Sequence, residues 1–219
     1  TITNKLHGSS FIVSKLICKK KLNWFEKGLK KLLNVNIVDT HYDFLHASRR
    51  VIKNEHIMVE GKNHYYKYDI WADIAKIINP ILLDGMTIYG EVVGFTKNGE
   101  AIQKGYDYGC EPNKFETYVY RITYTNPKGD VMEFTTSQLT NFCKLNNLSY
   151  VPILYWGYAA DLFKDIPRDG HWNEEFFNRL TQEFLEKDCD MCVNNVPAEG
   201  IVLRVDDSFD FEAYKHKSF

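Results

Sequence analysis

Charged residues sit at the ends of several short strand patterns, and any fold of this chain must bring those strand ends together. Tyr89-Gly90-Glu91-Val92-Val93-Gly94 reads as a strand with a carboxylate between glycines. Glu199-Gly200-Ile201-Val202-Leu203-Arg204 sets a carboxylate at the mouth of a hydrophobic strand. Lys215-His216-Lys217-Ser218 puts two lysines on one side of an extended segment, because strand side chains alternate. Near the N-terminus, Lys5-Leu6-His7-Gly8-Ser9-Ser10 reads as a turn. It opens into Phe11 to Leu16, which alternates as a strand does.

The residue types suit phosphate chemistry. A lysine on a turn before a strand can be a nucleophile if nearby cations and partial burial lower its pKa. Gly8 permits a tight turn and the close approach of a nucleotide. His7 can donate hydrogen bonds to a phosphate. Taken singly, each motif is as well explained by surface charge.

Together, the motifs around Lys5, Glu91, Glu199 and Lys215-His216-Lys217 resemble nucleotidyl motifs I, III, IV and V of the covalent nucleotidyltransferase superfamily, in the family's order. That superfamily holds the ATP-dependent polynucleotide ligases and the capping enzymes. His7 stands where most DNA ligases and capping enzymes carry Asp, which is most similar to the RNA ligase 2 family. The resemblance runs from Lys5 to Lys217. It implies an α+β fold, a nucleotidyltransferase (ATP-grasp-like) domain of antiparallel sheets flanked by helices. It also implies that residues 1–219 are one adenylyltransferase domain cut from a longer ligase, since such ligases usually extend beyond both ends.

The roles implied by the resemblance are specific. Lys5 attacks the α-phosphorus of ATP and leaves lysyl-AMP. The adenylate then moves to an RNA 5′-phosphate, and a 3′-hydroxyl displaces AMP. Glu199 and Glu91 are acceptors expected to hold Mg²⁺ or Mn²⁺, one of them alternatively the ribose. Lys215 and Lys217 face the phosphates and help to lower the pKa of Lys5, and His7 orients the pyrophosphate. Ser48-Arg49 resembles a serine-arginine motif that touches the nucleotide or the RNA end, where the planar guanidinium suits phosphate. Tyr120 is the expected adenine-stacking residue, with Tyr118 in reserve; the family commonly has Phe-Asp-Ile where this chain has Tyr120-Arg121-Ile122. Asn4 replaces the Glu that often precedes the nucleophile, which alters an adenine contact.

Bulk properties set limits. Hydrophobic residues make up 44% and aromatics 15% of the 219 residues, enough for one globular core. The net charge of −2 excludes a broadly basic nucleic-acid glove, so RNA contact must come from a local patch or from outside this chain. No apolar run reaches the ~18 residues of a membrane span. Five irregularly spaced cysteines point to a reducing, cytoplasmic compartment without a disulfide framework. Cys189-Asp190-Met191-Cys192 lacks a second ligand pair at zinc spacing and reads as free thiols at a helix end. The expected partners are ATP and nicked or broken RNA, with no membrane; a monomer is expected.

Along the chain, Trp24, Phe25, Leu29, Leu32 and Leu33 space out as an amphipathic helix or turn among lysines. Those lysines are either a solvated face or a phosphate-tracking patch. Tyr68 to Leu83 reads as a helix interrupted at Asn79-Pro80. Gly99 to Asn113 reads as a loop, and Phe115 to Thr125 pairs with Val131 to Phe134 as a hairpin. A helix is predicted from Thr136 to Leu145 and a buried strand from Val151 to Gly157. A helix is also predicted from Asn173 to Lys187, with Phe176, Phe177, Leu180, Phe184 and Leu185 inward. His41, His46, His56 and His64 read as structural or solvated.

Two other readings stay open. One is a DNA ligase or a capping-type nucleotidyltransferase. The other is a non-catalytic nucleic-acid-binding relic of the fold, which would be expected to have lost Lys5, Glu199 or Lys217.

Overall fold

The computed structural model describes residues 1–33, 39–49, 51–53, 66, 68–206 and 211–217. Arg50, His56 and His64 lie outside them. The fold is α+β, with two antiparallel sheets flanked by helices.

The larger sheet is built from β2 (Ser9–Lys19), β3 (Thr40–Ser48), β4 (Ile52–Lys53), β5 (Met86–Gly94), β6 (Phe115–Thr125) and β7 (Val131–Glu133). Its order is β4-β3-β2-β5-β6-β7. β3 was not predicted; its segment is polar and histidine-rich, and its pairing along its whole length with Phe11 to Lys19 of β2 holds it in the sheet. One face of the sheet is apolar at alternate positions. Phe11, Val13, Met86, Ile88, Val92, Val119 and Ile122 are buried there against Ile70, Trp71, Ile74 and Ile78. Those four belong to α2 (Ile70–Ile78), whose start is capped by the Asp69 carboxylate accepting the Ala72 N–H. The predicted helix from Tyr68 to Leu83 is therefore shorter. Pro80 has no N–H to donate, and Asn79–Ile81 forms a single tighter turn.

The smaller sheet is β10-β9-β1-β8, from β1 (Ile2–Asn4), β8 (Ile153–Tyr155), β9 (Gly200–Val205) and β10 (Glu212–Lys217). Ile2, Ile201, Phe176 and Leu180 form its core with α5 (Trp172–Phe184). Phe176 and Leu180 are one turn apart and share the buried face. Phe177 lies about 100° further round the helix and is 50% exposed, so its predicted inward place is corrected. Cys189 and Cys192 sit in a turn beyond the end of α5 rather than at the helix end.

The predicted strand from Val151 to Gly157 shrinks to β8, because the segment crosses between sheets. Its Val151 N–H donates to Val119 of β6, and its Pro152 carbonyl accepts from Asn4 of β1. Thr135 and Gln138 form a reciprocal capping box at the start of α3 (Thr136–Leu145). α4 (Ala159–Leu162) is a single turn. α1 (Trp24–Leu33) forms as the periodicity predicts but buries none of its residues. No helix among the described residues is long and apolar enough to cross a membrane.

Candidate active site

The Lys5–Gly8 turn is the crossover between the two sheets, since β1 lies in one and β2 in the other. Its entry is fixed by the backbone. Lys5 N–H donates to the Gly200 carbonyl at 2.9 Å, and Asn4 N–H to Pro152 at 3.0 Å. Its exit needs glycine, because a Cβ on Gly8 would lie 2.3 Å from the Val92 carbonyl oxygen. A second close approach occurs at Gly200, which has φ +136°; a Cβ there would stand 2.2 Å from the His216 carbonyl. That approach brings Lys217, the cross-strand partner of Gly200, beside Glu199.

Glu199 is the hub. Its side chain is 5% exposed and makes an ion pair with the Lys5 ammonium through Oε1. Lys217 Nζ reaches the same oxygen at 3.4 Å, and His7 Nδ1 lies 3.3 Å from Oε2. Lys215 and Lys217 both line the cleft, while His216 points the other way and its Nε2 shares a hydrogen bond with Thr181 of α5. The predicted alternation therefore holds.

The cleft encloses about 800 Å³ between the sheets. Asn4, Lys5, His7, Arg49, Glu91, Tyr120, Glu199, Lys215 and Lys217 all line it. Glu91 projects from the middle of β5, opposite Ser10 of β2, whose hydroxyl donates to it at 3.1 Å. Burial raises the Glu91 carboxyl to about 7; the Ser10 hydrogen bond and the Lys5 charge oppose this, and the Glu199 charge adds to it. The sign of the stability effect follows. Glu91 binds a proton more tightly in the fold than in the unfolded chain, so its contribution is complete at low pH and is lost as pH rises through about 7. Glu91→Gln is therefore expected to be more stable than wild type above pH 7, by up to roughly 3 kcal/mol. The two should converge below about pH 4.5, where both side chains are neutral. Urea titrations at pH 4.5 and 8 check this, and a gap that does not widen with pH counts against it.

Tyr120 opens onto the cleft, whereas Tyr118 packs beneath the Lys5 turn and does not line it. The reserve choice of Tyr118 is thus set aside on geometry. A bulge in β6 matters here. Tyr89 pairs with Arg121 and Gly90 with Val119, so Tyr120 is the extra residue. Both Tyr120 and Arg121 then face the cleft, while Val119 and Ile122 stay in the core. Sequence reasoning missed Arg121 as a site residue. Its guanidinium is bound by both Glu133 carboxylate oxygens and lies between the rings of Tyr89 (4.8 Å) and Phe211 (4.2 Å). The signal was available: the core residues Val119 and Ile122 are spaced by three, where a regular strand spaces them by two.

Among the described residues, no group of three His, Cys, Asp or Glu side chains is placed to cage a metal. Two carboxylates in the cleft nonetheless suit a magnesium ion, which takes one or two protein carboxylates and fills its shell with water and phosphate. Glu199 Oε2 is buried and makes no hydrogen bond within the protein, His7 Nδ1 approaching it only as an ion-pair contact at 3.3 Å.

A family model described as RNA ligase matches residues 1–219. Among curated proteins, none matches the chain. The match spans both sheets and every strand that lines the cleft, from the Lys5 turn to Lys217, and the chain therefore belongs to the RNA ligase family.

Proposed function

We propose that this chain is an ATP-dependent RNA ligase adenylyltransferase that carries AMP on Lys5. The observation that carries the reading is the convergence of Lys5, His7, Glu199 and Lys217 within one cleft that also holds Glu91 and Tyr120. In the reaction, the Lys5 amine attacks the α-phosphorus of ATP, the bond to the bridging oxygen breaks, and pyrophosphate leaves. The new N–P bond holds AMP until an RNA 5′-phosphate oxygen displaces the lysine. A 3′-hydroxyl then displaces AMP and seals the strand.

The residues share the work of positioning and charge neutralisation that dominates phosphoryl transfer. Glu199 keeps the Lys5 side chain at the crossover, and Lys215 and Lys217 supply positive charge for the triphosphate. His7 is placed to orient the leaving pyrophosphate, and Arg49 an anionic end of nucleotide or RNA. The open ring of Tyr120 offers a stacking surface for adenine. Glu199 and Glu91 would hold Mg²⁺ or Mn²⁺, which supplies neutralisation of the phosphate charge when bound.

The test is incubation with α-labelled ATP, GTP or NAD and a divalent cation, followed by denaturing electrophoresis. Label from ATP alone is expected. Label from GTP instead would make the chain a capping-type enzyme, and none from any donor would favour a non-catalytic relic.

Joining is expected to be slower than self-adenylation. Adenylation needs only the cleft, whereas joining needs a polynucleotide held in register by many cations. The net charge is −2, and in the lysine-rich region around α1, Lys20 is paired with Glu26 and Lys30 with Asp39. Joining of a nicked RNA duplex should fall between about 50 and 200 mM salt. Joining as fast as adenylation and indifferent to salt would contradict this.

A further inference from the structure

We infer that Tyr108 is a positioning residue for the nucleophile turn, an inference that rests on the reaction proposed above. Gly99 to Asn113 reads in sequence as an ordinary loop. In the structure, part of it forms a floor beneath Lys5–Gly8. The Tyr108 hydroxyl accepts the His7 backbone N–H at 2.5 Å, and the residue is 6% exposed. The His7 ring rests edge-on against Tyr106 at 4.8 Å, and Tyr106 and Tyr108 stack on each other.

Two features set Tyr108 apart from a packed aromatic. Its φ is +50°, in the left-handed region that a bulky residue occupies only when its surroundings hold it there. The surroundings that hold it also lead into Glu199. Asp107 accepts the N–H groups of Gly109 and Val193, both at 2.9 Å. The Tyr106 hydroxyl donates to the Pro197 carbonyl at 2.9 Å, two residues before Glu199. Leu6 packs into the same small cluster, together with Val93, Val151, Cys189 and Cys192. One clasp therefore sets the height of the turn and the approach of Glu199 together. Burial also holds the Tyr108 phenol neutral, so its hydroxyl keeps the proton while accepting from His7.

Tyr108 touches none of the reacting groups. It acts through the His7 backbone, and its loss should show in the rate at saturation rather than in nucleotide affinity. Tyr108→Phe keeps the ring and removes only the hydroxyl. Lysyl-AMP formation at saturating ATP is expected to fall roughly tenfold, the equivalent of one hydrogen bond, with KM for ATP unchanged. Exchange of the His7 amide hydrogen should speed up by a similar factor. Tyr155→Phe is the control. Its hydroxyl bonds the Tyr158 carbonyl, and the change should leave both readouts unaltered. A wild-type rate in Tyr108→Phe, or an effect confined to KM, overturns the inference. So does an equal loss in Tyr155→Phe. Wild type that never adenylates would sink the proposed function instead, and His7 exchange would then decide alone whether Tyr108 fastens the turn.

Discussion

Lys5→Arg is expected to abolish covalent labelling by ATP while leaving the fold intact. Wild type should gain the mass of one AMP, and peptide mapping should place it on Lys5. Among the described residues, three lysines reach the cleft, Lys5, Lys215 and Lys217, so the choice among them needs an argument. Lys217 is half exposed, whereas the Lys5 side chain is 15% exposed and its backbone is pinned to Gly200. Of the three, Lys5 alone stands on the crossover, paired with Glu199, whose other carboxylate oxygen lies 3.3 Å from His7 Nδ1. A nucleophile held in place avoids the entropic cost of finding its target. Arginine is the informative replacement. It keeps a cation beside the buried Glu199, so the carboxylate is not left unpaired. It stays protonated at any working pH and so has no lone pair for attack. Lys5→Ala should be equally inactive but less stable. Label on Lys215 or Lys217, or retained label in Lys5→Arg, would sink the assignment of the nucleophile.

The cleft was legible in the sequence because its chemistry is concentrated in short motifs. Glu91, Glu199, Lys215 and Lys217 each occupy a strand or its mouth, and a strand's two-residue period tells which neighbours share a face. The separation of β1 from β2 into different sheets was not legible. A three-residue strand gives too little pattern to announce itself, and its partners β8 and β9 lie about 150 and 200 positions away. Arg121 was missed because a bulge defeats the alternation that sequence reading relies on. Tyr108 was missed for a different reason. A left-handed tyrosine goes against residue preference, and only the contacts around it make the conformation tenable. In both places local preference gives way beside the cleft. The shortfall at α1 is of another kind: its period of 3.6 gave the helix correctly, but periodicity does not say what covers an apolar face. Trp24 and Leu32 remain 84% and 83% exposed.

Glu199→Gln and Lys217→Ala should each eliminate lysyl-AMP formation, yet they should separate in stability. Glu199 meets Lys5 and Lys217 through one oxygen and His7 through the other, so no single contact stands for its role. Gln keeps the shape and one acceptor oxygen but loses the charge that holds the Lys5 ammonium. It also offers a divalent cation a poorer ligand. Loss of transition-state charge stabilisation of this kind costs about 10²–10³-fold or more in rate. Because Lys5 is mostly buried, Glu199→Gln also strands a cation, and thermal stability should fall by about 1–3 kcal/mol. Lys217 differs because its ammonium is half in solvent and Glu199 keeps Lys5 as a partner when Lys217 is gone. Its removal should leave the melting temperature within about a degree or two of wild type. Its effect on rate should be large all the same, because the triphosphate loses a cation where negative charge accumulates. Intact-mass labelling and thermal melts of the two variants, run side by side, read both effects. If both adenylate at near wild-type rates, the gathering of these side chains is a structural ion-pair cluster. If Lys217→Ala melts as low as Glu199→Gln, its lost activity would be explained by the fold, and Lys217 would have no claim on the phosphates.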